Sequence, residues 1–284
     1  MKYKSKQLLF FNVAPLPHSI KIHSKLIDEG YHVDFWYIKT NKNLYPWKKL
    51  DKRYSYKIYK ANFIDFLKLL LSASKSNLVI ITGWHSITHI LLAFYCKLAG
   101  IKFAYWLDIP LQPQKGLRKL LKKKLMQLAD KLFITGKGGF DFFIKNYKLP
   151  SKKLYNFPYL EDRPNNIKDI KRINQLRDKE LRKNGQVKIL ISNRFLQRKG
   201  YQIFYKALET IPPHYSKEMM ITILGAGEQK DKYEILFKAL PINISLKGWV
   251  EYEDYIAFLK NSDIFIHSSY HEPYGIPPMD AMSF

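Results

Sequence analysis

Gln186-Val187-Lys188-Ile189-Leu190-Ile191-Ser192-Asn193-Arg194-Phe195-Leu196-Gln197-Arg198-Lys199-Gly200-Tyr201 sets the pattern of the chain. Residues 186–192 are a short apolar run of the kind buried on both faces of a parallel sheet. A polar, cationic loop follows, and from Tyr201 the spacing of apolar residues becomes helical, over 201–210. The same unit recurs downstream. Strands are expected at 219–224, 243–246 and 263–267, and helices at 229–239, 251–260 and from Gly275 onward. It also recurs upstream, with strands expected at 7–13, 32–37, 78–82, 102–107, 131–134 and 153–156 and helices at 19–29, 63–73, 87–99, 116–128 and 139–147. Continuous apolar strands separated by helices imply βαβ units, so the expected fold class is α/β with parallel sheets covered on both faces.

The 284 residues suffice for two domains, and 46% hydrophobic content supports real cores. Residues 161–183 are polar and highly charged, with Pro158 and Pro164 at their start and room for an exposed helix over 169–183. The expected division is an N-terminal domain over 1–162, a linker over 163–185 and a C-terminal domain over 186–284. Four strands make a thin sheet for that second domain, and Ala281-Met282-Ser283-Phe284 carries no helix stop signal, so it is expected to be incomplete. The single cysteine, Cys96, excludes an internal disulfide framework and reads as core packing in an apolar helix. No apolar stretch is long enough to span a membrane, and the N-terminal apolar run breaks at Asn12, too soon for a signal peptide.

The net charge of +24 is unevenly spread. Residues 1–150 hold 27 Lys+Arg against 8 Asp+Glu, a balance of +19, while residues 151–284 carry +5. That asymmetry points to an anionic partner for the first half: a membrane surface, a nucleic acid or a polyanionic glycan. Solvated lysines in a biased composition remain the alternative.

Four loops carry chemistry, each just beyond an expected strand and therefore all on one edge of one sheet. In the first, Arg194 and Lys199 suit a phosphate, Arg as a planar fork and Lys as a point charge; alone, the stretch reads as a solvated basic loop. The second, Gly225-Ala226-Gly227-Glu228, lets a backbone approach a ligand closely, although the six-residue dinucleotide fingerprint is absent and a tight turn is the simpler reading. The third, Gly248-Trp249-Val250, offers backbone to a base edge, with a core role for Trp249 the simpler reading. The fourth is His271-Glu272-Pro273-Tyr274-Gly275-Ile276-Pro277-Pro278-Met279-Asp280. It sets carboxylates at Glu272 and Asp280 on either side of a helix start, where free N–H groups favour a phosphate and the acids accept from hydroxyls. Phosphate flanked by hydroxyls describes a nucleotide sugar.

Taken together, these loops resemble the nucleotide-sugar domain of the retaining GT-B glycosyltransferases of family 4, glycosyl transferases group 1. The likeness lies in Arg and Lys five apart before Gly200, Gly225-x-Gly227-Glu228, Gly248-x-Val250, and Glu272-x7-Asp280 in an E-P-[FY]-G context. Two departures stand out: Asn193 replaces a glycine before the arginine, and Asp280 shortens the second acid by one methylene. The resemblance implies a GT-B fold, two Rossmann-like domains with the nucleotide-sugar cleft between them. It implies that Arg194 and Lys199 neutralise the diphosphate and stabilise the leaving group. Amides at Tyr274, Gly275 and Ile276 hold the distal phosphate, Glu272 the donor sugar, Asp280 the ribose, and Gly248, Trp249 and Val250 the base. No cofactor is expected and no metal, because Arg and Lys supply the charge and no Asp-x-Asp or His/Cys cluster occurs.

In the first half the likeness is loose, at 129–135 and 156–162, and the loop Asn12-Val13-Ala14-Pro15-Leu16-Pro17-His18-Ser19 lacks the glycines of relatives. Asp108 ends an expected strand and is the candidate for orienting the acceptor or for stabilising charge at the anomeric carbon, with a turn aspartate equally open. His18 and His85 lie in strand-to-helix loops as further acceptor-side candidates, a structural histidine being the simpler reading. The helix over 116–128 is basic and amphipathic. Lys115, Arg118, Lys119, Lys122, Lys123 and Lys124 can face an anionic leaflet, while Leu117, Leu120, Leu121, Leu125 and Leu128 share a face expected to pack on the protein's own sheet.

The expected function is a transferase moving a sugar from a UDP- or GDP-linked donor to a lipid-linked or envelope-glycan acceptor of the capsule or lipopolysaccharide kind. Its expected place is the cytoplasmic face of the membrane. The competing classes are a basic nucleic-acid-binding protein, against which no recognised binding motif accompanies the charge, and an inactive truncated transferase that binds donor or membrane only.

Overall fold

The computed structural model describes residues 6–14, 17–38, 56–110, 114–159, 167–272 and 274–284. The chain divides into two compact units, Met1–Leu160 and Glu161–Phe284.

The first unit runs β1 (Gln7–Asn12), α1 (Pro17–Asp28), β2 (His32–Ile38), β3 (Tyr56–Tyr59), α2 (Phe63–Ser74), β4 (Leu78–Thr82), α3 (Ile87–Leu98), β5 (Phe103–Leu107), α4 (Gly116–Leu128), β6 (Lys131–Ile134), α5 (Gly136–Tyr147) and β7 (Leu154–Asn156). Its strands form one sheet in the order β3-β2-β1-β4-β5-β6-β7, with every neighbouring pair parallel. The central strands bury both faces, as their unbroken apolar runs dictate: all five residues of β5 are buried. α2, α3, α4 and α5 cover one face through Leu69, Leu92, Cys96, Met126 and Phe143, and α1 lies on the other through Ile22. Cys96 is fully buried, and burial pushes its thiol up to about 12. The edge strand β3 is an addition to the sequence reading. Three of its four residues are exposed, so it carries no apolar run to mark it.

The second unit runs α6 (Ile167–Asn184), β8 (Val187–Ser192), a 3-10 turn at Gln197–Lys199, α7 (Tyr201–Glu209), α8 (Pro213–Ser216), β9 (Met219–Leu224), α9 (Lys230–Lys238), β10 (Asn243–Gly248), α10 (Tyr252–Lys260), β11 (Ile264–Phe265) and α11 (Ile276–Ala281). Its four strands are parallel in the order β10-β9-β8-β11. The helix α6 occupies most of the expected linker. It is fastened to this unit by Arg177, whose guanidinium donates to the carbonyls of Leu259 (2.8 Å), Lys260 (3.0 Å) and Phe284 (3.3 Å). The first two are carbonyls of the last turn of α10, where intrahelical donors run out.

In each sheet the strand order reverses once, between β1 and β4 in the first unit and between β8 and β11 in the second. A crevice opens at the carboxyl ends of the strands at such a reversal, because successive connections leave in opposite directions.

Candidate functional site

In the second unit, residues 193–200 leave β8 and residues 266–272 leave β11, one on each side of the reversal. The two loops are stitched together. Ser268 Oγ donates to the Lys199 carbonyl at 2.8 Å, and the Tyr270 amide donates to the Arg198 carbonyl at 3.0 Å. Gly200 sits at φ +70°, and a Cβ there would run into the Ser268 carbonyl. Only glycine lets the loops approach this closely.

That approach brings the buried Lys199 ammonium into an ion pair with Glu272 Oε2. The same oxygen accepts from His267 Nε2 at 3.1 Å and from Ser269 Oγ at 3.4 Å. On its other side the His267 ring meets Asn193, Nδ1 to Nδ2 at 3.3 Å. An amide nitrogen donates, so His267 Nδ1 accepts, and the ring proton resides on Nε2 facing Glu272. Three donors thus converge on one carboxylate oxygen, Oε2. Burial alone would raise the pKa of Glu272; the hydrogen bonds from His267 and Lys199, with the charge of Lys199, overcome it and hold the group at about 2. Burial lowers the pKa of Lys199, Glu272 opposes that, and Arg198 and Arg194 add to the lowering.

Arg194 is half-buried in the same loop, and its guanidinium has no hydrogen-bond or ion-pair partner among the described residues. The glycines after β9 are backbone contacts. A Cβ at Gly225, φ +141°, would strike the Asn193 carbonyl, and one at Gly227 would lie 2.7 Å from the Phe195 carbonyl oxygen. The Gly225 amide donates to the Gly248 carbonyl at 2.6 Å, tying the loop after β10 to the same edge. Trp249 and Val250 are half-buried beside it. Gly275 precedes α11 at φ +83°. Pro277 and Pro278 have no N–H, so donors for an anion at this turn are confined to Ile276 and the amides before it. Asp280 on α11 is 1% exposed, and both of its carboxylate oxygens lack a partner among the described residues. A buried carboxylate without a donor is costly, and a site that receives hydroxyls supplies the missing ones.

His267, which the sequence reading does not single out, joins this cluster through Glu272 and Asn193. It closes the expected strand 263–267 at the edge where ligands bind, and that position was the available signal. The serines 268 and 269 carried no such signal.

In the first unit, Asp108 is exposed but fixed: Thr135 Oγ1 donates to one carboxylate oxygen at 2.6 Å and Tyr159 hydroxyl to the other at 2.9 Å. His85 follows β4 in the loop that holds Gly83 at φ +70°. Desolvation lowers its pKa, Asp108 opposes this and Lys122 reinforces it. The structure therefore brings His85 and Asp108 into electrostatic reach across the carboxyl ends of β4 and β5. His18 falls in the first turn of α1, and its side chain lies outside the described residues, as do Pro15 and Leu16.

On α4 the expectation for the leucines is corrected. Leu125 is buried and Leu128 half-buried, but Leu117, Leu120 and Leu121 face solvent, Leu117 at 81% exposure. The first turns of α4 lie beyond the cover of the sheet. Lys119 and Lys122 are half-buried, with their ammonium groups over the rings of Tyr147 (5.7 Å) and Trp84 (4.9 Å), whereas Lys115, Arg118 and Lys124 are exposed and Lys123 is half-buried. Among the described residues no helix is long and apolar enough to cross a membrane, and no group of three His, Cys, Asp or Glu residues is placed to hold a metal ion.

Residues 172–284 match the family model described as glycosyl transferases group 1. The chain is 29% identical over 172 residues to the uncharacterized glycosyltransferase MJ1069 of Methanocaldococcus jannaschii, covering 60% of this chain and 40% of that protein. It is 32% identical over 89 residues to the lipopolysaccharide core biosynthesis glycosyltransferase LpsE of Rhizobium meliloti, covering 31% of this chain and 24% of that protein. The matched regions thus span less than half of either curated relative. Among solved structures, Anabaena HepE in complex with UDP and glucose aligns at TM-score 0.71 and 16% identity, over 98% of this chain and 78% of that one. That likeness identifies the fold as GT-B, with two Rossmann-like parallel-sheet domains.

Proposed function

From the match of residues 172–284 to the glycosyl transferases group 1 model, we propose that the protein is a retaining, metal-independent glycosyltransferase that uses a UDP- or GDP-linked sugar. The observation that carries the reading is the joined pair of loops at the reversal of the second sheet. Lys199 is held against Glu272, Arg194 stands in the same loop without a partner among the described residues, and the buried Asp280 lacks donors.

Arg194 and Lys199 bind the diphosphate and neutralise the charge that grows on it as the bond from C1 to the phosphate oxygen breaks, its electron pair leaving with the diphosphate. Ile276 and the amides before it take the distal phosphate. Glu272 Oε1 accepts from a donor-sugar hydroxyl, while Lys199, His267 and Ser269 keep the carboxylate ionised and fixed in direction. Asp280 accepts from the ribose, and Gly248–Val250 meet the base. The acceptor hydroxyl forms the new bond to C1 and releases its proton to the departing phosphate oxygen. Asp108 and His85 orient that acceptor. Cationic side chains supply the electrostatic stabilisation that a metal provides in other transferases, so activity should survive chelation.

The acceptor is a lipid-linked or envelope glycan presented at the inner face of the membrane. The excess of positive charge on residues 1–150 supports this, and so does the similarity to a transferase of lipopolysaccharide core synthesis. Thermal-shift measurement against nucleoside diphosphates and their sugars tests the donor half. A stabilisation by one base and not the others is expected. No response to any of them would refute the donor site.

A further inference from the structure

The outer surface of α2, α3 and α4 is apolar where a helix layer on a sheet is ordinarily polar. Each of these helices packs one stripe against the sheet, through Leu69 and Ala73, through Leu92, Ala93 and Cys96, and through Leu125 and Met126. The opposite stripe of α2, at Phe63, Leu67 and Leu71, is exposed, with Phe63 at 74%. That of α3, at Ile87, Leu91, Phe94 and Leu98, follows the spacing of one helix face and is exposed as well, with Leu98 at 87%. The exposed Leu117, Leu120 and Leu121 continue the surface onto α4. The helices are neighbours, α2 against α3 and α3 against α4, so the three stripes adjoin on one side of the sheet. Isolated exposed leucines are ordinary, but adjoining stripes mark an interaction surface.

The charges around this surface decide its occupant. The three helices carry seven basic residues, Lys68 and Lys97 together with Arg118, Lys119, Lys122, Lys123 and Lys124, and one acid, Asp65. That acid is already occupied: it accepts from the Lys60 amide at 2.9 Å and its own amide is capped by Asn62. An apolar plane fringed by long cations matches the boundary between acyl chains and anionic headgroups, with lysine stems lying along the apolar part and ammonium groups among phosphates. We propose that the α2–α3–α4 face is a membrane-docking surface that inserts its outward leucines and phenylalanines into an anionic leaflet, rather than being held there by charge alone. This deepens the membrane-surface reading given above and rests on it for its purpose. Docking itself needs neither donor, acceptor nor turnover.

Flotation of the whole chain with phosphatidylcholine–phosphatidylglycerol vesicles, against phosphatidylcholine alone, across a salt series, tests it. The protein should float with the anionic vesicles and keep part of that binding at high salt. Leu91→Asp/Leu98→Asp and, separately, Phe63→Asp/Leu67→Asp should lower partitioning by more than about tenfold at every salt concentration. Lys123→Ala/Lys124→Ala should lower it at low salt only. The four apolar positions and Lys124 are exposed and Lys123 is half-buried, and circular dichroism with thermal melts confirms that each variant folds. Wild-type-like flotation of both apolar variants, or binding abolished by salt alone, would overturn the insertion. A dimer by light scattering that the apolar variants convert to monomer, without vesicle binding, would assign the face to a second copy and overturn it too. Nucleotide-induced thermal shifts run in parallel separate the two readings. Their absence sinks the transferase and leaves flotation standing, whereas lost flotation with intact shifts sinks only the docking face.

Discussion

Glu272→Gln should convert a pH-dependent part of the folding free energy into a constant. In the wild type, Lys199 and His267 hold the carboxyl at about 2 against an ordinary 4.5. A depressed carboxylate contributes stability that is present above the unfolded value, near 4.5, and is lost as the pH falls toward the folded value near 2. The difference of about 2.5 units, at about 1.4 kcal/mol per unit, amounts to about 3 kcal/mol at pH 7. By pH 3 the same two values leave about 1.5 kcal/mol, so roughly half disappears over a range in which unfolding can still be measured. The side chain is 24% exposed, which keeps solvent screening modest, and Lys199 is 8% exposed. The glutamine keeps the shape but leaves the Lys199 ammonium buried without its counterion. Lys199 bears its own burial cost in the intact pair, so the net loss at pH 7 falls at the lower end of what breaking a buried pair costs, about 3 kcal/mol. Urea unfolding of wild type and variant at steps from pH 7 to pH 3 reads this directly. The gap between the two should narrow by about 2 kcal/mol toward pH 3. A gap that stays constant across that range would refute the assignment of Glu272 as an ionised, triply held group.

Arg194→Ala and Lys199→Ala should each reduce turnover by on the order of 10²–10³-fold, the size of loss that follows removal of electrostatic stabilisation from a developing oxyanion; near-normal turnover in either would remove that residue from the reaction. Asp280→Asn should leave the unliganded protein as stable or about 1 kcal/mol more stable in urea unfolding, because it neutralises a buried carboxylate that lacks donors, while the thermal shift induced by the nucleotide falls. Gly225→Ala should cost about 2–4 kcal/mol in the same unfolding measurement, since its φ of +141° and the facing Asn193 carbonyl both exclude a Cβ; a neutral result would mean that the loops after β8 and β9 do not approach as described.

The legible part of this fold is the part that a parallel sheet enforces. Once 186–192, 219–224 and 243–246 are strands joined through helices, their carboxyl ends must share an edge, and Arg194, Gly225 and Gly248 fall on it without further information. What spacing does not carry is how loops on that edge meet. Lys199 and Glu272 are 73 residues apart, and their pairing depends on β8 and β11 being neighbours across the reversal. The family resemblance implies a diphosphate for Lys199 and a donor sugar for Glu272. It carries nothing of the three donors that already hold Glu272, or of the Asn193 amide that faces the other ring nitrogen of His267.

A different limit operates on the helices. FIDFLKLLLSAS in α2 and ITHILLAFYCKL in α3 are apolar on nearly every side, and such a helix reads as one enclosed by protein. Composition reports how much apolar surface a helix carries; it does not report how many of its sides receive a neighbour. On this face of the first unit the described residues provide a single layer of helices over the sheet, so the inward stripes are satisfied by β4, β5 and β6 and the outward stripes have nothing of the described residues against them. Apolar residues at those outward positions do nothing for the core, and polar ones would serve solubility better. Their presence along three adjoining helices, with lysine and arginine supplying all but one of the charged side chains, is therefore better accounted for by an external apolar phase than by folding.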